Sequence, residues 1–164
     1  MTVLATRRQR PEQDDVAEVH MIADLRRLLP RSHVLIITAP LTPETKGLIG
    51  EEELALLPRG ALLVNVGRGA IVDEEALYLA LKGRQLAAAG LDVWYNYPRD
   101  EAAQTDTPPS RFPFHELDNV VMSPHRGGDE IGIEAARMQH LAQLLNVAAR
   151  GEEMPNRVNR EAGY

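Results

Sequence analysis

The sequence has no cysteine, which excludes a disulfide framework, a thiolate nucleophile and cysteine-ligated zinc or iron–sulfur sites. Positive charge is in deficit: 18 Lys and Arg face 24 Asp and Glu, for a formal net charge of -6. A nucleic acid or an anionic lipid surface would therefore meet repulsion rather than counterion release. Long apolar runs are missing as well. Val34–Ile37 and Ala61–Val64 are far too short to span a bilayer, and the N-terminus MTVLATRRQRP has no signal-peptide pattern. The expected address is the cytoplasm. No Gly-x-Ser-x-Gly elbow occurs, and no histidine pair stands at metal-ligand spacing beside a carboxylate, so a metal site is not expected. There is no internal repeat and no low-complexity segment. At 164 residues with 44% hydrophobic and 26% charged, the chain has the length and balance of one globular domain.

What the sequence does contain is alternation. Short apolar runs at Val3–Ala5, His33–Ile37, Leu62–Val66, Ala87–Leu91 and Asn119–Met122 predict strands, and they are separated by segments of helical period, the pattern of β-α-β units with a parallel sheet. Asp14-Asp15 leads into a predicted helix over Val16–Leu29, with Val19, Ile22, Leu25, Leu28 and Leu29 in one stripe and Pro30 as its stop. Gly50 and Asp73 precede helices over Glu51–Leu57 and Glu74–Lys82, closed by Pro58 and Gly83. Tyr95–Phe114, with prolines at 98, 108, 109 and 113, reads as an extended surface loop. Asp129–Arg150 predicts the longest helix, with Ile131, Ala135, Met138, Leu141, Leu145 and Ala148 on one face, followed by a tail over Gly151–Tyr164.

Ligands of an open α/β sheet bind beyond the carboxyl ends of its strands. The residues there are Thr6-Arg7-Arg8, Thr38-Ala39-Pro40, Gly67-Arg68-Gly69, Asp92, and Ser123-Pro124-His125-Arg126-Gly127-Gly128. Taken singly, each has a structural reading: Arg68 in a Gly-x-Gly turn, His125 as a loop histidine bonded to a carbonyl, Asp92 as a cap. Their coincidence at strand ends favours a site. His20, His33, His115 and His140 have no such context and read as structural or solvated.

Pro40–Ile49, Leu63–Leu77 with its Val66-Gly67-Arg68-Gly69 core, Gly90-Leu91-Asp92-Val93, and Ser123-Pro124-His125 together closely resemble the D-isomer-specific 2-hydroxyacid dehydrogenases. The resemblance implies hydride transfer between NAD(P) and a small 2-hydroxy or 2-oxo acid. It implies that Arg68 holds the substrate carboxylate and polarises its oxo group, and that His125 exchanges the hydroxyl proton. Ala39, Val66, Gly67, Arg68, Asp92 and His125 match cofactor-side positions, and Gly127 and Gly128 would let the backbone approach the ring. Arg7, where the family has an acidic residue, could meet a 2'-phosphate, which tilts the expectation toward NADP.

Two departures from the family pattern stand out. The glutamate that usually pairs with the histidine is replaced by Tyr97, leaving Asp100 or Glu101 as substitutes or a differently tuned relay. Asp92-Val93-Trp94 also fits formate dehydrogenase-like enzymes. The second departure is larger. The opening strand and Gly-x-Gly-x-x-Gly loop are missing, so the expected fold is α/β, an incomplete Rossmann-like parallel sheet with flanking helices. That strand is central in the 3-2-1-4-5-6 order, and without it the second and fourth strands should stay unjoined, with an apolar cleft exposed. Residues 1–150 are then a truncated dinucleotide-binding domain and 151–164 a tail returning to an absent substrate domain. The chain reads as part of a longer, homo-oligomeric dehydrogenase, with a non-catalytic dinucleotide-binding or dimerisation fragment, or a remnant without function, as the alternatives.

Overall fold

The computed structural model describes residues 1–8, 16–128, 132–158 and 160. The chain divides into two compact units, Met1–Pro124 and His125–Tyr164.

In the first unit, strands β1 (Leu4–Arg7) and β2 (Glu18–Met21) form a two-stranded parallel sheet. Strands β3 (Val34–Ile37), β4 (Ala61–Asn65), β5 (Leu86–Leu91) and β6 (Val120–Met122) form a separate four-stranded parallel sheet in the order β3-β4-β5-β6. Helices α2 (Glu51–Leu56) and α3 (Glu74–Lys82) join its strands. Parallel neighbours need such crossovers, because a tight turn cannot reverse the chain twice. The expected Rossmann-like sheet with flanking helices is present, and so is its break: β1 and β3 lie in different sheets, and among the described residues neither has a second strand on its other edge.

The helix predicted over Val16–Leu29 is corrected. Its first part is β2, followed by a 3₁₀ turn at Ile22–Asp24, the four-residue helix α1 (Leu25–Leu28) and a second 3₁₀ turn at Leu29–Arg31 that contains Pro30. The apolar spacing is real for Leu25, Leu28 and Leu29, which are buried. Val19 belongs to a ladder instead, opposite Ala5. One edge of Glu18–Met21 is hydrogen-bonded to β1, a long-range gain that a helical period cannot register. The Asp14-Asp15 start signal lies outside the described residues.

Burial alternates along β4: Ala61, Leu63 and Asn65 are buried while Leu62 and Val66 are exposed. The covered face packs Leu63, Leu86, Ala89 and Leu91 with Leu54 and Leu57 from α2, Leu77 and Leu81 from α3, and Ile71, Trp94 and Phe114. The opposite face leaves Val34, Ile36, Leu62 and Val121 exposed. The same truncation should therefore have two different costs. Ile71→Val, at a residue that is 0% exposed, should lower stability by about 0.5–1.5 kcal/mol. Ile36→Val, at 60% exposure, should change it by only about 0.5 kcal/mol or less. Urea unfolding of the two variants checks the contrast, and equal losses would mean that the second face is covered in solution.

In the second unit, α4 runs from Ile133 to Ala149 after Gly132 in a left-handed turn with φ 91°. None of its residues is buried, and Met138, Leu141 and Leu145 of the predicted apolar face are exposed. Asp129 and Ile131, the predicted start of this helix, lie outside the described residues. No helix among the described residues is long and apolar enough to cross a membrane.

Candidate active site

The rim beyond the carboxyl ends of β3, β4 and β5 is built by short backbone bonds between adjacent strands. Val66 donates its N–H to Ile37 O at 3.1 Å, and Asp92 donates to Asn65 O at 3.1 Å. The parallel register aligns Ile37, Asn65 and Leu91 at the last rung, so Ala39, Val66, Gly67, Arg68 and Asp92 are brought together. Past Ala39 the chain is knit into a turn, in which Thr42 N donates to Thr45 Oγ1 at 2.8 Å and that hydroxyl donates to Pro40 O at 2.7 Å.

Two glycines set the tightness of the rim. A Cβ on Gly67 would lie 2.7 Å from Ala39 O, and one on Gly69 would lie 2.3 Å from Trp94 O. The β4 loop is wedged between the ends of its two neighbours, and no side chain fits at either place. Arg68 between them is exposed and folds its guanidinium back, Nη1 donating to Gly67 O at 2.7 Å. Asp92 is buried and Val66 exposed.

The other residues singled out by the sequence belong to other elements of the chain. Arg7 ends β1 in the two-stranded sheet, opposite Met21. His125, Gly127 and Gly128 belong to the second unit, where all three are exposed. His125 has φ 60°, a left-handed conformation that β-carbon sterics disfavour and that clusters at functional positions. A Cβ on Gly128 would meet nothing within 4 Å. Tyr97 accepts a hydrogen bond from Trp94 N at 3.0 Å, and Trp94 in turn donates Nε1–H to Ser123 O at 2.8 Å. The loop after β5 is thus tied to the end of β6, the strand that leads toward His125.

Two features of this region escaped the sequence reading. Asn65, the last residue of β4, is a buried amide hydrogen-bonded to the loop beyond it. Its signal was a polar residue closing an apolar run. The second feature is the anchor of the 95–114 loop. Glu74, the first residue of α3, accepts from Ser110 Oγ at 2.8 Å, Arg111 N at 2.8 Å and Arg111 Nε at 2.7 Å. Burial alone would raise this carboxyl's pKa, but the bonds from Arg111 and Ser110 outweigh it and hold the group below the usual carboxylate range. The nearby Tyr95 hydroxyl is pushed up by burial, with the Glu74 and Asp73 charges adding to the effect. Nothing in the local sequence announces the clamp, because its partners stand 36 and 37 positions apart.

Gly67 lets the β4 loop pack directly against the backbone of Ala39. The sequence contains no Gly-x-Gly-x-x-Gly to hold a pyrophosphate. Among the described residues no group of histidine, aspartate and glutamate could hold a metal ion.

The chain is similar to known proteins over most of its length. The chain is 40% identical over 137 residues to a glyoxylate reductase of Korarchaeum cryptofilum, covering 84% of this chain and 39% of the relative. It is 36% identical over 148 residues to a D-3-phosphoglycerate dehydrogenase of Methanocaldococcus jannaschii, covering 88% of this chain and 26% of the relative. Among solved structures, a D-isomer specific 2-hydroxyacid dehydrogenase from Xanthobacter autotrophicus Py2 in complex with NADPH and MES superposes with a TM-score of 0.80 at 34% identity, over 97% of this chain and 61% of that one. A probable 2-hydroxyacid dehydrogenase from Rhizobium etli CFN 42, in complex with NADP, HEPES and L(+)-tartaric acid, gives 0.82 at 28% identity, over 99% and 49%. The chain spans less than half the length of these two curated relatives. Residues 1–127 match the domain described as "D-isomer specific 2-hydroxyacid dehydrogenase, NAD binding domain", and the chain belongs to that family.

Proposed function

We propose that this chain supplies the nicotinamide-side half of an oxidoreductase that transfers hydride between NAD(P) and a small 2-hydroxy or 2-oxo acid as part of a longer protein. The observation that carries the reading is the rim itself. Three adjacent parallel strands deliver Ala39, Val66, Gly67, Arg68 and Asp92 to one edge, where Arg68 is an exposed cationic side chain of the wedged loop. In this reading Arg68 grips the substrate carboxylate with its planar fork and polarises the neighbouring oxo group. His125 gives the proton to the carbonyl oxygen on reduction and takes it back on oxidation. Ala39, Val66, Gly67, Asp92, Gly127 and Gly128 lie along the cofactor, and Arg7 meets a 2'-phosphate. The nicotinamide, when bound, supplies or accepts the hydride. Relatives named glyoxylate reductase and a solved relative holding NADPH support this substrate class and the phosphorylated cofactor. The protein then works in the cytoplasm as a homo-oligomer of the longer form.

A second reading, a dinucleotide-binding or dimerisation fragment without turnover, is favoured by one observation: among the described residues β1 and β3 lie in separate sheets. Thermal unfolding with and without NADH or NADPH tests the cofactor binding on which the first reading depends. A ligand at a hundredfold excess over its dissociation constant adds about 2.7 kcal/mol to the folded state. A midpoint raised by NADPH more than by NADH, with the preference lost in Arg7→Ala, is the expected result for the chain as a usable half-site. A transition indifferent to both cofactors would overturn cofactor binding by this chain and leave the role of Arg68 and His125 to a longer protein.

A further inference from the structure

We propose that Asn65 is the positioning residue of the site, a brace that aims Arg68 from the sheet. This rests on the reading of Arg68 as the carboxylate-binding group. Asn65 is 1% exposed on the same face of β4 as Leu63. A carboxamide there costs stability unless both of its ends find partners. Both do, and both partners lie in the loop that carries Arg68. Oδ1 accepts from Gly67 N at 3.1 Å, and Nδ2 donates to Arg68 O at 3.1 Å. An N–H facing one end and a carbonyl facing the other define the orientation of the amide uniquely.

The main chain of Asn65 is equally committed, paired with Ile37 of β3 and accepting from Asp92 N beyond β5. The side chain therefore transmits the position of the sheet to the loop two and three residues ahead. Its effect reaches the guanidinium by two routes. The bond to Arg68 O holds that residue's backbone. The bond to Gly67 N holds the peptide unit whose neighbour, Gly67 O, receives Arg68 Nη1 at 2.7 Å. The wedged glycines block sideways motion, and the amide blocks outward motion. Asparagine suits this task because aspartate keeps the acceptor but has no donor for Arg68 O, and leucine has neither.

The test uses the full chain and the isosteric variant Asn65→Asp, with Asn119→Asp as the control. Asn119 is also a buried amide of this unit, its Nδ2 donating to Leu81 O and Ala87 O at 3.2 Å, away from the rim. NMR reads the order of the Arg68 Nε–H group, and pyruvate, as the simplest 2-oxo acid, is titrated against the Gly67 and Arg68 amide signals. The expected result is that Asn65→Asp loses Arg68 side-chain order and binds pyruvate at least tenfold more weakly, while Asn119→Asp is destabilised with both readouts kept. Unchanged Arg68 order in Asn65→Asp, or equal losses in the control, would overturn the proposal. If the wild-type chain shows no saturable pyruvate binding, the carboxylate reading fails, and the order measurement still decides the brace. Should Asn65→Asp not fold, the through-bond coupling between Asn65 Nδ2 and the Arg68 carbonyl carbon in the wild-type protein decides it, its absence being fatal.

Discussion

Gly69→Ala is expected to be the most damaging single-methyl change in the protein, lowering stability by about 3 kcal/mol or more. The added Cβ would stand 2.3 Å from Trp94 O and 2.5 Å from Trp94 C. Overpacking a core typically costs about 1–3 kcal/mol because side chains can shift rotamer to make room. Here the obstruction is backbone, and the backbone is held on both sides. Trp94 donates its N–H to Tyr97 and its indole N–H to Ser123 O, while Gly69 opens a 3₁₀ turn whose Val72 N donates to Gly69 O at 3.0 Å. Relief must come from separating the β4 loop from the β5 loop. That movement would also carry Arg68 away from Asp92, so ligand binding should fall together with stability. Denaturant unfolding and cofactor titration of the same preparation check both effects. A Gly69→Ala protein as stable as wild type would mean that the two loops do not meet as closely in solution.

Glu74→Ala is expected to lower stability by about 2–4 kcal/mol at neutral pH. The truncation leaves the buried Ser110 hydroxyl and the Arg111 N–H without their acceptor, at about 1–3 kcal/mol for each unsatisfied buried group. The guanidinium adds little, because Arg111 is 74% exposed and water can replace the carboxylate. Glu74→Gln, which keeps an acceptor and loses the charge, should cost less. The pH dependence has a definite sign. The folded-state pKa of Glu74 is depressed, so its contribution is complete above the ordinary glutamate pKa and disappears as pH falls through the folded value. Unfolding free energies measured across the acid range should therefore fall less steeply in Glu74→Gln than in wild type. The clamp also ties the 95–114 loop to α3, so proteolytic nicking of this loop should quicken in Glu74→Ala. Identical acid profiles would show that the carboxylate makes no net contribution.

Much of the architecture was legible because its signals are local. Helix α3 was placed to the residue by Asp73 as cap, acidic Glu74 and Glu75 in the first turn, and Gly83 at the end; the structure shows Asp73 Oδ1 accepting from Ala76 N at 2.9 Å. The five strands read from apolar runs all exist, displaced by one or two residues at their ends. Strand β2 was not legible. Glu18–Met21 carries no alternation long enough to outvote the apolar spacing that runs on to Leu29, and only the ladder to β1 decides its conformation.

The sequence by itself determined the class of fold and the strand ends that carry Ala39, Gly67, Arg68 and Asp92, because period, caps and strand ends are properties of neighbours along the chain, whereas the split in the sheet was implied only by the family resemblance. The tertiary structure alone decided how that rim is held. Gly69 meets Trp94, Glu74 meets Ser110 and Arg111, and Asn65 meets the loop of Arg68. The first two join residues 25 or more positions apart, across the register of a parallel sheet, where no local preference records the partner. The third lies within three residues, yet it depends on β4 being buried between β3 and β5, which turns an ordinary polar strand end into an amide that must spend both of its hydrogen-bonding groups on one loop.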